Sequence, residues 1–262
     1  GGAIYLSDGV FHRSQIETTR GAVRNIDGAV YRYEPLTQRF DTYASYGFAN
    51  PHGRTFDRWG NDLIVDATGN ATYFGAAFSG KIDYPAKHPK MKQFWERPAR
   101  PSAASIIMTS RHFPEEYQGN FLNGNVIGFQ GFYRVKVEED GSGLKGERLP
   151  DLLSSSDPNF RPVGITVGPD GALYVLDWHN AIIGHMQHHL RDPNRDPIHG
   201  RIYRITYEGR PLLKQPKIYN ESIPALLELL REPENHVREL VKIELGKHDA
   251  KKVTDAVKTW VG

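Results

Sequence analysis

The chain has 262 residues, 39% hydrophobic and 24% charged, enough to bury the core of one large all-β domain or of two smaller domains. A formal net charge of +2 argues against nucleic-acid binding across the whole surface, and no apolar run reaches the ~20 residues a membrane-crossing helix needs. There is no Cys, which excludes disulfides and thiolate metal ligands without deciding the compartment.

The chain opens inside a strand pattern, Gly2 to Gly9, with no initiator Met, so the sequence reads as a fragment whose earlier blades precede Gly1. Asp27-Gly28 turns into a second strand, Ala29 to Tyr33. Asn50 to Gly53 precedes Arg54 to Asp57, and Gly60-Asn61 turns into Leu63 to Asp66. Gly124 to Ile127 and Gly131 to Val137 form another set. Phe160 to Asp177 repeats it, with Pro169-Asp170-Gly171 as a tight turn, and Arg201 to Thr206 supplies the returning strand. Sets recurring every ~40–50 residues are the signature of β-propeller blades. The expected fold is therefore mainly β: a partial β-propeller over residues 1–215, six-bladed when complete. Three stretches interrupt the strands as expected insertions: Thr68 to Pro101, Leu144 to Asn159, and Trp178 to Ile198.

After Tyr207 the period becomes helical. Ser222 is placed to cap a helix from Ile223, Pro233 breaks it, a second helix carries Val237, Leu240 and Val241, and Asp249 is placed to cap a third. Short amphipathic helices about a Pro turn resemble a HEAT-type segment over residues 216–262.

Candidate chemistry gathers near strand ends. Asn50 and His52 precede a blade strand, where side chains face a channel mouth. Arg161 holds the matching position of the last blade and either clamps a carboxylate or pairs with Asp157. Asp66 and Asp177 end equivalent strands and are expected to close turns. Arg111 and His112 form a further polar cluster able to supply a general base. In the last insertion, His185, His188 and His189 stand at i, i+3 and i+4; they read as loop bracing, active-site wall or metal ligands. Trp59, Tyr73, Phe78 and Trp178 are available to stack on sugars.

Together, Phe48 to Gly53 with Phe56 to Gly60, Ser110 to Glu115, Asp157 to Pro162, Gly168 to Tyr174, and Ile183 to His188 through Arg195 to Arg201 resemble the PVC-type membrane-bound dehydrogenase propellers. That family is distantly similar to soluble quinoprotein sugar dehydrogenases. The resemblance implies an extracytoplasmic, periplasmic sugar or alcohol dehydrogenase using pyrroloquinoline quinone (PQQ) and calcium. It implies electron transfer to a c-type haem domain or cytochrome c outside this chain. Asn50, Arg161 and Arg111 are then the cofactor-binding candidates, and Gly69 and Asn70 the calcium candidates. His52, His112, His179 and His185 are the candidates to accept a hydroxyl proton. Ala49 stands where that likeness expects an Arg, and Asn125 to Gly128 stand near an expected Lys. The alternatives are a non-catalytic carbohydrate- or protein-binding propeller, or a metal-dependent lyase or hydrolase on the same scaffold.

Overall fold

The computed structural model describes residues 2–69, 71–75, 82–101, 104–183 and 191–262. Strands β1 (Ile4–Asp8), β4 (Ala29–Glu34) and β5 (Arg39–Ser45) make the first sheet, with β2 (Arg13–Thr18) and β3 (Gly21–Ile26) as a separate hairpin between β1 and β4. The second sheet is β6 (Pro51–Phe56), β7 (Asp62–Asp66), β8 (Ala71–Gly75) and β9 (Lys92–Glu96). The third is β10 (Ser105–Ile107), β11 (Phe121–Asn125), β12 (Gly131–Asp140) and β13 (Gly143–Ser154). The fourth is β14 (Pro162–Val167), β15 (Leu173–Asp177) and β16 (Arg201–Ile205). All are antiparallel meanders in chain order, so the molecule is mainly β, built from several small sheets.

Successive sheets meet through their leading strands: β6 contacts β10, and β10 contacts β14. These strands run the same way. Thr55 of β6 accepts the Ile107 N–H of β10 through Oγ1, and Ala104, just before β10, accepts the Gly124 N–H, whose Cα lies against Pro162 at the start of β14. One end of the sheets therefore collects everything before β6, β10 and β14 and after β7, β11 and β15. We call it the rim; the other is the far end. Between them lie aromatic and branched side chains, with Leu63, Val65, Phe94, Phe121, Tyr133 and Val135 buried in one cluster.

Two of the expected insertions contain strands. β8 and β9 lie within 68–101, and β13 (Gly143–Ser154) overlaps most of 144–159. The sequence of β13 hides its alternation because it is an outer strand with Gly, Pro and charge on its open face, a position where Pro150 is tolerated. The β2–β3 hairpin was also not expected; Thr18 Oγ1 donates to the Gly21 carbonyl and closes its turn.

Helices α1 (Ile223–Leu229), α2 (Asn235–Leu245) and α3 (Ala250–Val261) share their own core, with Leu226, Leu227, Val237 and Val241 fully buried. Asp249 caps α3 as expected, accepting the Lys252 N–H at 3.0 Å, whereas Ser222 makes no side-chain cap. Among the described residues, no helix is long and apolar enough to cross a membrane.

Candidate functional site

In the second, third and fourth sheets the rim loop is tied down by the residue that ends the second strand. In the second sheet that residue is Asp66, buried at the end of β7. Its carboxylate accepts the N–H groups of Ala49 (2.7 Å), Asn50 (3.0 Å) and Gly69 (2.9 Å). A Cβ on Gly69 would stand 2.8 Å from Asp66 Oδ2, so only glycine lets the loop approach that closely. Asn50 completes the turn by donating from Nδ2 to Thr68 Oγ1 at 2.7 Å. In the fourth sheet Asp177 has the same role, accepting the N–H groups of Arg161 (2.7 Å) and His179 (2.8 Å). Asn125 ends β11 and reverses the polarity, donating from Nδ2 to the carbonyls of Ile127 and Phe129. Asp8 ends β1 and gathers His12, Ser14 and Tyr31. Val10 donates to the Ala49 carbonyl, which places this corner at the same rim. The expectation that Asp66 and Asp177 close turns is met.

Arg161 is 8% exposed and is held by backbone carbonyls. Nε donates to Asn180 at 2.8 Å, Nη2 to Ala181 at 3.1 Å and Nη1 to Val126. Burial pulls its guanidinium below the ordinary arginine value. Asp157 is the partner of Arg201 rather than of Arg161. Arg201 bridges Asp157 Oδ2 at 2.8 Å and Asp177 Oδ2 at 2.7 Å.

His179 stands beside this network. Its backbone is left-handed, at φ +50°, an uncommon and strained conformation for a residue with a Cβ. Its ring is partly exposed, but Nδ1 is buried and has no hydrogen-bond partner among the described residues. The Asn159 N–H and the Arg201 side chain hold the Asp157 carboxyl below its ordinary value, with a smaller contribution from the nearby His179.

The other candidates divide between the two ends. His52, in β6, is exposed at the rim. His185 and Asn70 lie outside the described residues, as do Phe78, His188 and His189. Arg111 and His112 follow β10 and therefore lie at the far end, so a single mouth containing them with Asn50, His52, Arg161 and His179 does not form. His112 is 1% exposed, and both ring nitrogens are engaged: Nδ1 with the Pro211 carbonyl at 3.0 Å, Nε2 with the Tyr207 N–H at 2.9 Å. Nε2 must accept from that N–H, so Nδ1 carries the proton and the ring is a neutral stitch between segments. Arg111 clamps α2, pairing Nε with Glu234 Oε1 at 2.9 Å and Nη2 with Glu234 Oε2 at 2.8 Å, while also reaching Glu232. Its own N–H donates to the same Glu234, and Thr109 Oγ1 accepts the Asn235 N–H. Glu234 and Arg201 were not singled out in the sequence; their signal was only a charge at an element boundary.

Among the described residues, no group of three His, Asp or Glu side chains is placed to hold a metal ion.

Residues 100–209 match the model of a domain of unknown function, DUF7133. The match spans the third and fourth sheets, including Arg161, Asp177, His179 and Arg201. No curated protein matches the chain. Among solved structures, a Thermus thermophilus protein provisionally named an oxidoreductase (glucose dehydrogenase) is 18% identical, with a TM-score of 0.48. The alignment covers 77% of this chain and 61% of that one.

Proposed function

We propose that the rim binds a hydroxylated small molecule, a sugar or an alcohol, and that His179 takes its hydroxyl proton. The observation that carries this reading is the strained backbone of His179, which holds a partly exposed imidazole near Asp157; Nδ1 is buried, so the exposed side of the ring is the one that can meet a substrate. Proton transfer to His179 is the proton half of the dehydrogenation implied by the resemblance to membrane-bound dehydrogenase propellers. In the same reading the four sheets are propeller blades and the helices are a HEAT-like segment. The protein is then extracytoplasmic, and the carbinol hydride goes to a two-electron acceptor outside the described residues, from which electrons pass singly to a c-type haem outside this chain.

PQQ does not enter this reading. The arginine that would clamp a quinone carboxylate, Arg161, is held by three carbonyls. The Asn50 amide donates to Thr68, and Asp66 beside Gly69 already accepts three N–H groups. Donors so engaged do not fit a tricarboxylate ligand; Gly69 stays a proposed calcium ligand, and Asn70 lies outside the described residues.

The same engagement of rim polar groups favours a second reading, a carbohydrate-binding module without turnover. The test is sugar and alcohol oxidation by the purified intact protein with an artificial electron acceptor, alongside calorimetric binding of the same compounds. Turnover that falls at least a hundredfold in His179→Gln, with binding retained, supports the proton-acceptor role. Binding without turnover selects the second reading. Neither binding nor turnover rejects both.

A further inference from the structure

The β6–β7 turn at the far end presents a tryptophan that the turn itself does not need. Asp57 Oδ1 accepts the N–H groups of Trp59 and Asn61, each at 2.8 Å, and Oδ2 accepts Asn61 Nδ2 at 2.7 Å. Asp57 and Asn61 also pair through their backbones at 3.1 Å, and Gly60 takes the positive φ of +85°. Asp57, Gly60 and Asn61 thus fix the loop, while Trp59 is 82% exposed. A large aromatic held out on a rigid turn is a preorganised stacking platform, with little ordering entropy left to lose on binding.

Trp59 lines a cleft of about 430 Å³ between this turn, the 3-10 turn Glu115–Tyr117 and the start of α2. The other groups suited to recognition there are Arg58, Asn61, Glu115, Gln118 and Glu139, all planar at their tips. Asn61 and Gln118 donate their amide N–H groups internally, which leaves their carbonyl oxygens as acceptors. Arg58, Glu115 and Glu139 make no ion pair among the described residues; Arg58 lies 5.7 Å from the Trp59 ring. An aromatic face flanked by planar donors and acceptors matches a pyranose ring, whose apolar C–H face stacks while its equatorial hydroxyls bond in plane. Arg58, Arg111 and Arg238 line the cleft against Asp57, Glu115, Glu138 and Glu139, a near balance of charge that suits a neutral sugar.

We propose that this cleft is a second binding site, for a neutral β-1,4-linked glycan, at the opposite end of the molecule from the rim. The β-1,4 linkage gives the flat ribbon that one exposed indole can underlie.

The test is affinity electrophoresis of the intact protein through gels containing xylan, mixed-linkage β-glucan or polygalacturonate. Retardation by xylan or β-glucan, weakened about tenfold in Trp59→Ala and partly kept in Trp59→Phe, supports the site. The thermal midpoint of both variants should match the parent, because Trp59 packs against little. Three results overturn it: no retardation by either neutral glycan, retardation by polygalacturonate alone, or retardation unchanged in Trp59→Ala. The His179→Gln variant should be retarded like the parent, so failure of the rim reading and failure of this one are distinguishable.

Discussion

The two ends of these sheets use charge in opposite ways. At the rim a buried cation, Arg161, is bonded to neutral carbonyls of two neighbouring loops. At the far end a buried anion, Glu234, is bonded to a cation and an N–H of the chain segment after β10. Arg161 and Arg111 are the same residue type, each placed near the end of a leading strand. Their surroundings assign them different work: Arg161 shapes a loop surface, whereas Arg111 fastens a helical segment. Residue type at a strand end therefore says less than which backbone groups reach that end unsatisfied.

The largest effect expected from breaking this comparison is at Arg161. Arg161→Met leaves three carbonyls without their donor and should cost about 3 kcal/mol, read as a lowered denaturant midpoint. Arg161→Lys should recover little, because an ammonium cannot reproduce the planar fork.

The Arg111 clamp should show itself through pH. Burial raises the Glu234 carboxyl, but the hydrogen bonds and charge of Arg111 outweigh it and leave it below its ordinary 4.5. A depressed folded value means that the stabilisation is complete above 4.5 and is lost as pH falls through the folded value. Stability measured from about pH 6 down to about pH 3 should drop more steeply in the parent than in Arg111→Met. Equal slopes would remove the clamp from the account.

The two histidines sharpen the contrast further. His112→Gln loses the Pro211 and Tyr207 bonds and should cost about 2 kcal/mol, with the pH profile of any turnover unmoved. His179→Gln should do the reverse, shifting or abolishing that profile at little cost in stability. The smallest effect belongs to His179→Gly, which relieves the positive φ and should leave stability within about 0.5 kcal/mol while turnover is lost.

Much of the sheet framework was legible because its turns carry Asp-Gly and Pro-Asp-Gly signals and its strands alternate. The carboxylates of Asp66 and Asp177 were legible as turn closers for the same reason. The division of candidates between two ends was present but unread: Asn50 and Arg161 precede a leading strand, whereas Arg111 and His112 follow one. Strand direction, not residue type, separates them. The partners of Arg161 could not be read, since backbone carbonyls leave no trace in side-chain identity. The hairpin β2–β3 and strand β13 were missed because open strand faces hold polar residues that look like loop.

One acidic or amide side chain at these rim strand ends, Asp8 of β1 and Asp66, Asn125 and Asp177 of the second strands, carries a consequence for how such a protein diversifies. The segments these residues tether run from 67–70 to 178–200, and one of them, 9–28, holds a whole hairpin. The tether fixes only the first few backbone groups after the strand, so length and content beyond it are released from the sheet. Loops at this end are thus exchangeable cassettes. Exchanging the hairpin tip at Thr19-Arg20, beyond the groups Asp8 holds, should leave the sheets intact, and recognition at the rim can be rewritten one cassette at a time.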